Sequence, residues 1–331
     1  MEKEKWQWQG WGTAWKGVGI YHVTMTIPSR EPLLGKLVIP ENDPKQAKVE
    51  LSEIGVQTKS CVDAIPVRYP EIRIIQLRMM PDHLHVILYV TKSMPISIKM
   101  VVRGLWQGAK KVDREHTTSV SPHNMRDNKR STPLFTEMPF IRPLSRKGQL
   151  QTMIRYVQMN PQRLATKQLK PGFFHVQEGI EIGARKYSGV GNVALLQAAH
   201  YMPVHVRRKM VEEAAHGQSQ ALRDYMNSCV AEARKGTVMV SPFISPDEKR
   251  VMEVLLKEKK RFVLLADNGF RDYYKPSDGI FDAVAEGRVL ILSPWEDYQD
   301  RKKISREDCI ALNGMAEDIC AALNHEQYSG K

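Results

Sequence analysis

His83 and His85 stand one residue apart in the run Met79-Met80-Pro81-Asp82-His83-Leu84-His85-Val86-Ile87-Leu88-Tyr89. In a strand, residues two apart project to the same face, so both imidazoles point together while Leu84 points away. Two neutral imidazoles side by side are half of a divalent-metal site. About seventy residues later, Tyr156-Val157-Gln158-Met159-Asn160-Pro161 places a phenol and an amide one helical turn apart on a single face. A metal-binding pair beside a tyrosine suggests phosphoryl transfer on DNA. Attack by Tyr156 on a phosphodiester would keep the phosphate as a diester bonded to the protein. A phenolate, with a pKa of about 10, leaves more readily than a sugar alkoxide, so the strand can be rejoined without ATP. A cation stabilises charge on the phosphoryl oxygens. His83 and His85 supply two neutral ligands, and the Asn160 side-chain oxygen could supply a third. Mn²⁺ is favoured over Mg²⁺ in strength, and abundant Mg²⁺ would also serve. Arg155 adjoins the tyrosine, and Arg163, seven residues on, shares its face if the helix runs through Pro161.

Other readings of the same residues stay open. The histidines could be the half-buried polar face of a strand, Tyr156 a core tyrosine with its hydroxyl at the rim, and Asn160 the N-cap of a helix starting at Pro161.

The elements that must position these groups can be read from pattern. Residues 17–28 form a β-branched strand closed by Pro28, and 35–39 a second. Residues 45–65 have helical periodicity. Strands near 71–79 and 83–90 flank a turn at Pro81-Asp82. A basic amphipathic helix over 95–115 carries Lys99, Arg103, Lys110, Lys111 and Arg114, the preferred DNA-contacting face. Residues 116–134 lack periodicity and read as a mobile loop. A strand near 138–144 and a helix from 147 to Asn160 follow; the residue before a proline is biased away from helix, so Asn160 should lie near its end. This is an antiparallel sheet with helices on one face. From about 190, strands at 191–196, 237–241, 261–265 and 288–292 alternate with helices at 218–234, 246–258, 278–286 and 305–323, which argues a parallel, doubly wound sheet. Gly179, Gly183, Gly189 and Gly191 mark the boundary, giving domains 1–185 and 186–331.

Charge follows the same division. Residues 1–200 hold 29 Lys and Arg against 16 Asp and Glu, and residues 201–331 hold 20 against 21, so the first part carries all the excess of the net +12. A basic domain with a metal site points to a polyanion. Trp6, Trp8, Trp11 and Trp15, interleaved with Lys3, Lys5 and Lys16, either stack on unpaired bases or cover the sheet. Four cysteines without CxxC spacing support neither a zinc ribbon nor a disulfide framework, and read as reduced thiols. No run approaches a membrane span and the N-terminus lacks a signal peptide's apolar core, so a cytoplasmic protein is expected.

Tyr21-His22-Val23-Thr24, Met80-Pro81-Asp82-His83-Leu84-His85 and Tyr156-Val157-Gln158-Met159-Asn160-Pro161 resemble, in order, the motifs of the HUH single-strand transposases, above all the REP-associated tyrosine transposases. The resemblance spans residues 15–175. It implies a ferredoxin-like sheet, binding of hairpins in single-stranded DNA, and cleavage through a 5′-phosphotyrosine. His83 and His85 would be metal ligands, Tyr156 the nucleophile and Asn160 the third ligand. Asp82 stands where the family usually has asparagine.

Residues 190–295 resemble the Rossmann-like domain of the DNA-processing protein A (Smf) family through Val238-Met239-Val240-Ser241, Phe262-Val263-Leu264-Leu265, Asp272-Tyr273-Tyr274-Lys275-Pro276 and Gly287-Arg288-Val289-Leu290-Ile291-Leu292-Ser293-Pro294. The phosphate-cradling glycines are missing after Ser241. Ser245 and Glu248 form a capping box, and Asp247 and Glu248 place negative charge where an anion would dock. The expectation is therefore a scaffold, a homodimer surface or a partner-protein site. Two rival readings of the whole chain are a DNA-binding regulator without turnover and a nucleotide sensor acting through residues 190–331.

Overall fold

The computed structural model describes residues 15–28, 30–119, 135, 139–216, 219–271, 274–301 and 303–329. It divides into two compact units, residues 1–166 and 167–331. The division falls ahead of the glycine-punctuated stretch, because residues 177–191 pair into the second unit's sheet.

In chain order the first unit holds β1 (Gly19–Thr26), β2 (Gly35–Val38), β3 (Lys48–Leu51), α1 (Glu53–Asp63), α2 (Ile65–Arg68), β4 (Ile72–Met79), β5 (His83–Val90), α3 (Ile98–Ser119), β6 (Phe140–Pro143) and α4 (Gln149–Leu169). β4-β5-β1-β6 form one antiparallel sheet, and β2 and β3 a separate two-stranded ribbon. Period-two alternation sorts β5 cleanly. Leu84, Val86, Leu88 and Val90 are completely buried with Val23 and Met25 of β1, under Val101, Val102 and Leu105 of α3. His83, His85 and Ile87 take the other face, where Ile87 packs with Val157 of α4. A one-residue slip would drive the imidazoles into the aliphatic core and remove from it four side chains whose burial is worth about 1.5–3 kcal/mol each, so the core decides which way the imidazoles point.

Three expectations are corrected here. The sheet is covered on both faces, with α1 and α3 on one and α4 on the other. The periodicity over 45–65 resolves into a 3₁₀ turn at Pro44–Gln46, then β3, then α1. Pro44 favours a turn, Asp43 accepts from the Lys45 N–H, and Ser52 caps α1 by accepting from the Gly55 N–H at 3.0 Å. Finally, α4 does not stop at Asn160 but continues through Pro161 to Leu169. The proline removes one N–H from the helical ladder, and burial of Val157, Asn160, Pro161, Arg163 and Ala165 offsets that loss. The N-cap reading of Asn160 falls with it. Of the region read as a loop, residues 116–119 belong to α3 and 120–134 lie outside the described residues.

The second unit holds α5 (Pro171–Phe174), β7 (Gln177–Ile182), β8 (Arg185–Gly191), β9 (Tyr201–Pro203), α6 (Arg208–Ala215), α7 (Gln220–Lys235), β10 (Val238–Ser241), α8 (Pro246–Lys257), β11 (Phe262–Leu265), α9 (Asp278–Ala285), β12 (Val289–Ser293) and α10 (Arg306–Ser329). Its six-stranded sheet has the order β7-β8-β12-β11-β10-β9. β9 to β12 are parallel and in sequential order, while β8 runs antiparallel to β12 and hairpins with β7. The sheet is thus mixed, and its parallel strands advance in one direction instead of being doubly wound. α7, α8 and α9 bury one face and α10 the other. The strand read at 191–196 ends at Gly191, whose positive φ of 123° brings its backbone against Val289 where a side chain would collide; a 3₁₀ turn follows.

Candidate functional site

The face of the first sheet that α4 covers gathers the polar groups. Register places Thr24 of β1 opposite His85, Thr26 opposite His83, and Arg78 of β4 on the other side of His85. Directly opposed residues share a face, so β1, β4 and β5 present one surface, over which α4 lies. Tyr156 reaches it: its ring centre is 5.6 Å from that of His85, edge to face, and the two motif histidines are 4.9 Å apart. Asn160, one turn on, is 5% exposed and Tyr156 is half-buried.

Each imidazole has partners at Nδ1. Asp82 Oδ1 lies 2.5 Å from His83 Nδ1, and Arg30 donates to the same carboxylate at 3.2 Å. These two partners draw the Asp82 carboxyl below its ordinary value against the opposing effect of burial, which is the largest single influence on it. His85 Nδ1 is 3.0 Å from both Thr24 Oγ1 and His22 Nε2. Burial, aided by the Arg142 cation paired with it on β6, holds His22 down to about 4, so it is neutral at pH 7. A tautomer with the proton on His85 Nδ1 donates to Thr24 or His22 and keeps the lone pair on Nε2. In both rings Nε2 is then the atom offered to a ligand, the arrangement in which a second partner fixes ring orientation.

His22 and Thr24 are site residues that sequence reasoning did not assign. The signal was their two-residue spacing in β1, which mirrors His83 and His85; what was missing was the pairing register.

Because α4 runs on through Pro161, Arg163 lies on the same helix face as Tyr156 and Asn160 and is 3% exposed, while Arg155 is exposed on α4. The basic residues of α3 fall elsewhere. Arg103 and Lys111 are exposed on α3, and Lys110 sits over the Trp106 ring at 3.7 Å. α3 lies across the sheet from the histidines, so this basic face is not part of the Tyr156 surface. Arg114 is helical, but its side chain lies outside the described residues. Trp15 is 5% exposed, stacked on Tyr21 under Lys99, so it covers the core; Trp6, Trp8 and Trp11 lie outside the described residues. Among the described residues, no three His, Cys, Asp or Glu side chains cluster to hold a metal. Cys61, Cys229, Cys309 and Cys320 are free thiols, and no described helix is long and apolar enough to cross a membrane.

No family model matches the chain. An uncharacterized protein of Haemophilus influenzae is 27% identical over 79 residues, 24% of this chain and 40% of that protein, so the chain spans well under half its length. Among solved structures, a REP-associated tyrosine transposase bound to a REP hairpin aligns over 46% of this chain and 72% of its own, at 10% identity and a TM-score of 0.31. A protein of Deinococcus radiodurans R1 assigned as a transposase aligns over 46% of this chain and 98% of its own, at 16% identity and a TM-score of 0.28. The DNA processing protein A of Helicobacter pylori, described with a single-stranded DNA binding mode, aligns over 45% of this chain and 67% of its own, at 18% identity and a TM-score of 0.30. Likenesses of that strength leave the chemistry to be argued from this chain's own residues.

Proposed function

We propose that the first unit cleaves and rejoins single-stranded, hairpin-bearing DNA through Tyr156, as the resemblance of its three motifs to HUH transposases implies. The observation that carries this reading is the meeting of Tyr156 with His85, 5.6 Å between ring centres, on a surface that also presents His83, Thr24 and His22. The order β4-β5-β1-β6, with helices on both crossovers, supports a ferredoxin-like sheet.

In the proposed step the Tyr156 oxygen bonds to the phosphorus and the bond to the 3′ oxygen breaks. The phenol proton is released to water and the departing 3′ oxygen takes one up. The product is a 5′-phosphotyrosine and a free 3′ hydroxyl, and the reverse step joins a new end. In this reading His83, His85 and Asn160 would hold a divalent cation, Mn²⁺ or Mg²⁺; the partners that Asp82, Thr24 and His22 provide at Nδ1 of the two imidazoles support a ligand role for the opposite ring nitrogens. A cation bound there would supply charge neutralisation on the phosphoryl oxygens. The chain's own contribution is orientation: Asp82 and Thr24 set the rings, and α4 sets Tyr156. Arg155 is exposed to meet the flanking phosphates.

The test is incubation of the full chain with end-labelled hairpin single strands and Mn²⁺. Cleavage leaving a free 3′ hydroxyl on one fragment and protein on the other supports the reading. Two protein-free fragments, or intact DNA across a broad hairpin library, would overturn it.

A further inference from the structure

The second unit contains a cavity of about 510 Å³ where the chain leaves the carboxyl ends of β11 and β12. Ala266–Gly269 follow β11 directly, and Tyr298–Ile304 follow β12. Open sheets of parallel strands present ligand sites at this end, and the volume lies within the usual range for small-molecule sites, roughly 300–1,000 Å³. The two loops are tied together: Asn268 receives the Gln299 N–H at 2.8 Å, and Ser293 Oγ donates to the Asn268 carbonyl at 3.0 Å.

Four cations line the cavity, Arg271, Lys275, Arg301 and Lys303, with Asp267 as the carboxylate among its lining residues. Two are fixed in place. Arg301 is bonded to Asp308 at 2.6 Å and to the Asp267 carbonyl, and lies over the Trp295 ring at 5.0 Å. Arg271 lies over the Tyr298 ring at 4.0 Å and bonds to its hydroxyl. Tyr274 supplies a second phenol; burial and Asp267 push it up to about 12, so it remains a neutral donor.

The combination of cations with flat aromatic walls calls for a ligand that has both a phosphate and a ring. Bases stack on phenol and guanidinium planes, while lysines hold phosphates. We infer that this cavity binds a free nucleoside phosphate, between one and two phosphates in length. A strand of nucleic acid is the less favoured occupant because it needs a positive track extending beyond one nucleotide. Here the stretch 296–307 is charge-balanced, Glu296, Asp297, Asp300 and Glu307 offsetting Arg301, Lys302, Lys303 and Arg306, so its sequence supplies no such track.

The site also lies apart from the place where β10 ends. There Glu248 is 1% exposed and accepts from the N–H groups of Val206, Ile244 and Ser245, so the protein's own carboxylate occupies the anion position.

The experiment is calorimetric titration of the full chain with AMP, ADP, GMP, GDP, inorganic phosphate and a long oligothymidylate. Variants are Lys275→Ala/Lys303→Ala and, separately, Lys303→Glu, with His83→Ala as a control in the other unit. A nucleoside phosphate should bind, about tenfold or more weaker in both lysine variants and unchanged in His83→Ala. Absence of saturation at about 1 mM would overturn the inference. So would binding indifferent to the lysine variants, or oligothymidylate binding more tightly than any mononucleotide through the same lysines. A variant that fails to fold is recognised by its melting curve, and the second variant then decides.

Discussion

Glu248→Ala tests how the second unit closes the end of β10. The carboxylate accepts three backbone N–H groups: Val206 at 2.9 Å on Oε1, and Ile244 at 2.9 Å and Ser245 at 3.0 Å on Oε2. Truncation to alanine strands all three donors. The Val206 bond is fully buried, and orphaning it costs about 2–3 kcal/mol. The other two are partly buried, recruit water, and cost roughly 0.5–1 kcal/mol each. The total is on the order of 3–5 kcal/mol, at the severe end for one substitution, and corresponds to a fall of roughly 10 °C or more in the melting temperature. Glu248→Gln keeps one oxygen as an acceptor and should cost about 1–2 kcal/mol. Urea and thermal unfolding of the full chain measure the loss, and hydrogen exchange of peptides over 203–208 and 242–247 localises it. An alanine variant that melts like the parent with those amides still protected would refute the reasoning.

Asp82→Ala should weaken Mn²⁺ binding about 10–100-fold, while Asp82→Asn, which keeps an acceptor for His83, should cost much less; manganese titration followed by paramagnetic resonance separates the two. Thr24→Val removes one of the groups at 3.0 Å from His85 Nδ1 and should slow cleavage by about tenfold or more without changing the melting temperature, as gel assays and calorimetry will show. Arg103→Ala/Lys111→Ala should lower hairpin affinity and reduce the slope of log affinity against log salt by about one per charge. Because α3 lies across the sheet from Tyr156, the cleavage rate at saturating DNA should hold in that variant.

Much of the positioning frame was legible because it rests on local pattern. The alternation through β5 sorts imidazoles from aliphatics, and the capping box of α8 forms as read, with Ser245 Oγ accepting from the Glu248 N–H. What escaped needed long-range pairing. His22 and Thr24 become partners of His85 only through the β1–β5 register, and nothing local in Tyr21-His22-Val23-Thr24 announces it. The basic stripe of α3 was plain, but not the face of the sheet it covers, which the helix's own periodicity does not specify. Pro161 stopped α4 on local grounds, and burial of its neighbours carried the helix on. The mixed order of the second sheet rests on β8 joining β12, a pairing about a hundred residues apart in sequence. The cationic cavity is assembled from the loops after β11 and β12, so its lysines and arginines looked scattered in a region whose net charge is near zero.

The central claim is that Tyr156 is the nucleophile. The most direct measurement is mass-spectrometric peptide mapping of full chain treated with cleavable hairpin DNA and Mn²⁺, then digested with nuclease and trypsin. The account predicts a nucleotide-5′-phosphate mass on the peptide that contains Tyr156, lost in Tyr156→Phe and in His83→Ala/His85→Ala, each variant being shown folded by its melting curve. Cleaved DNA with an unmodified Tyr156 peptide, or an adduct that survives Tyr156→Phe, would contradict it.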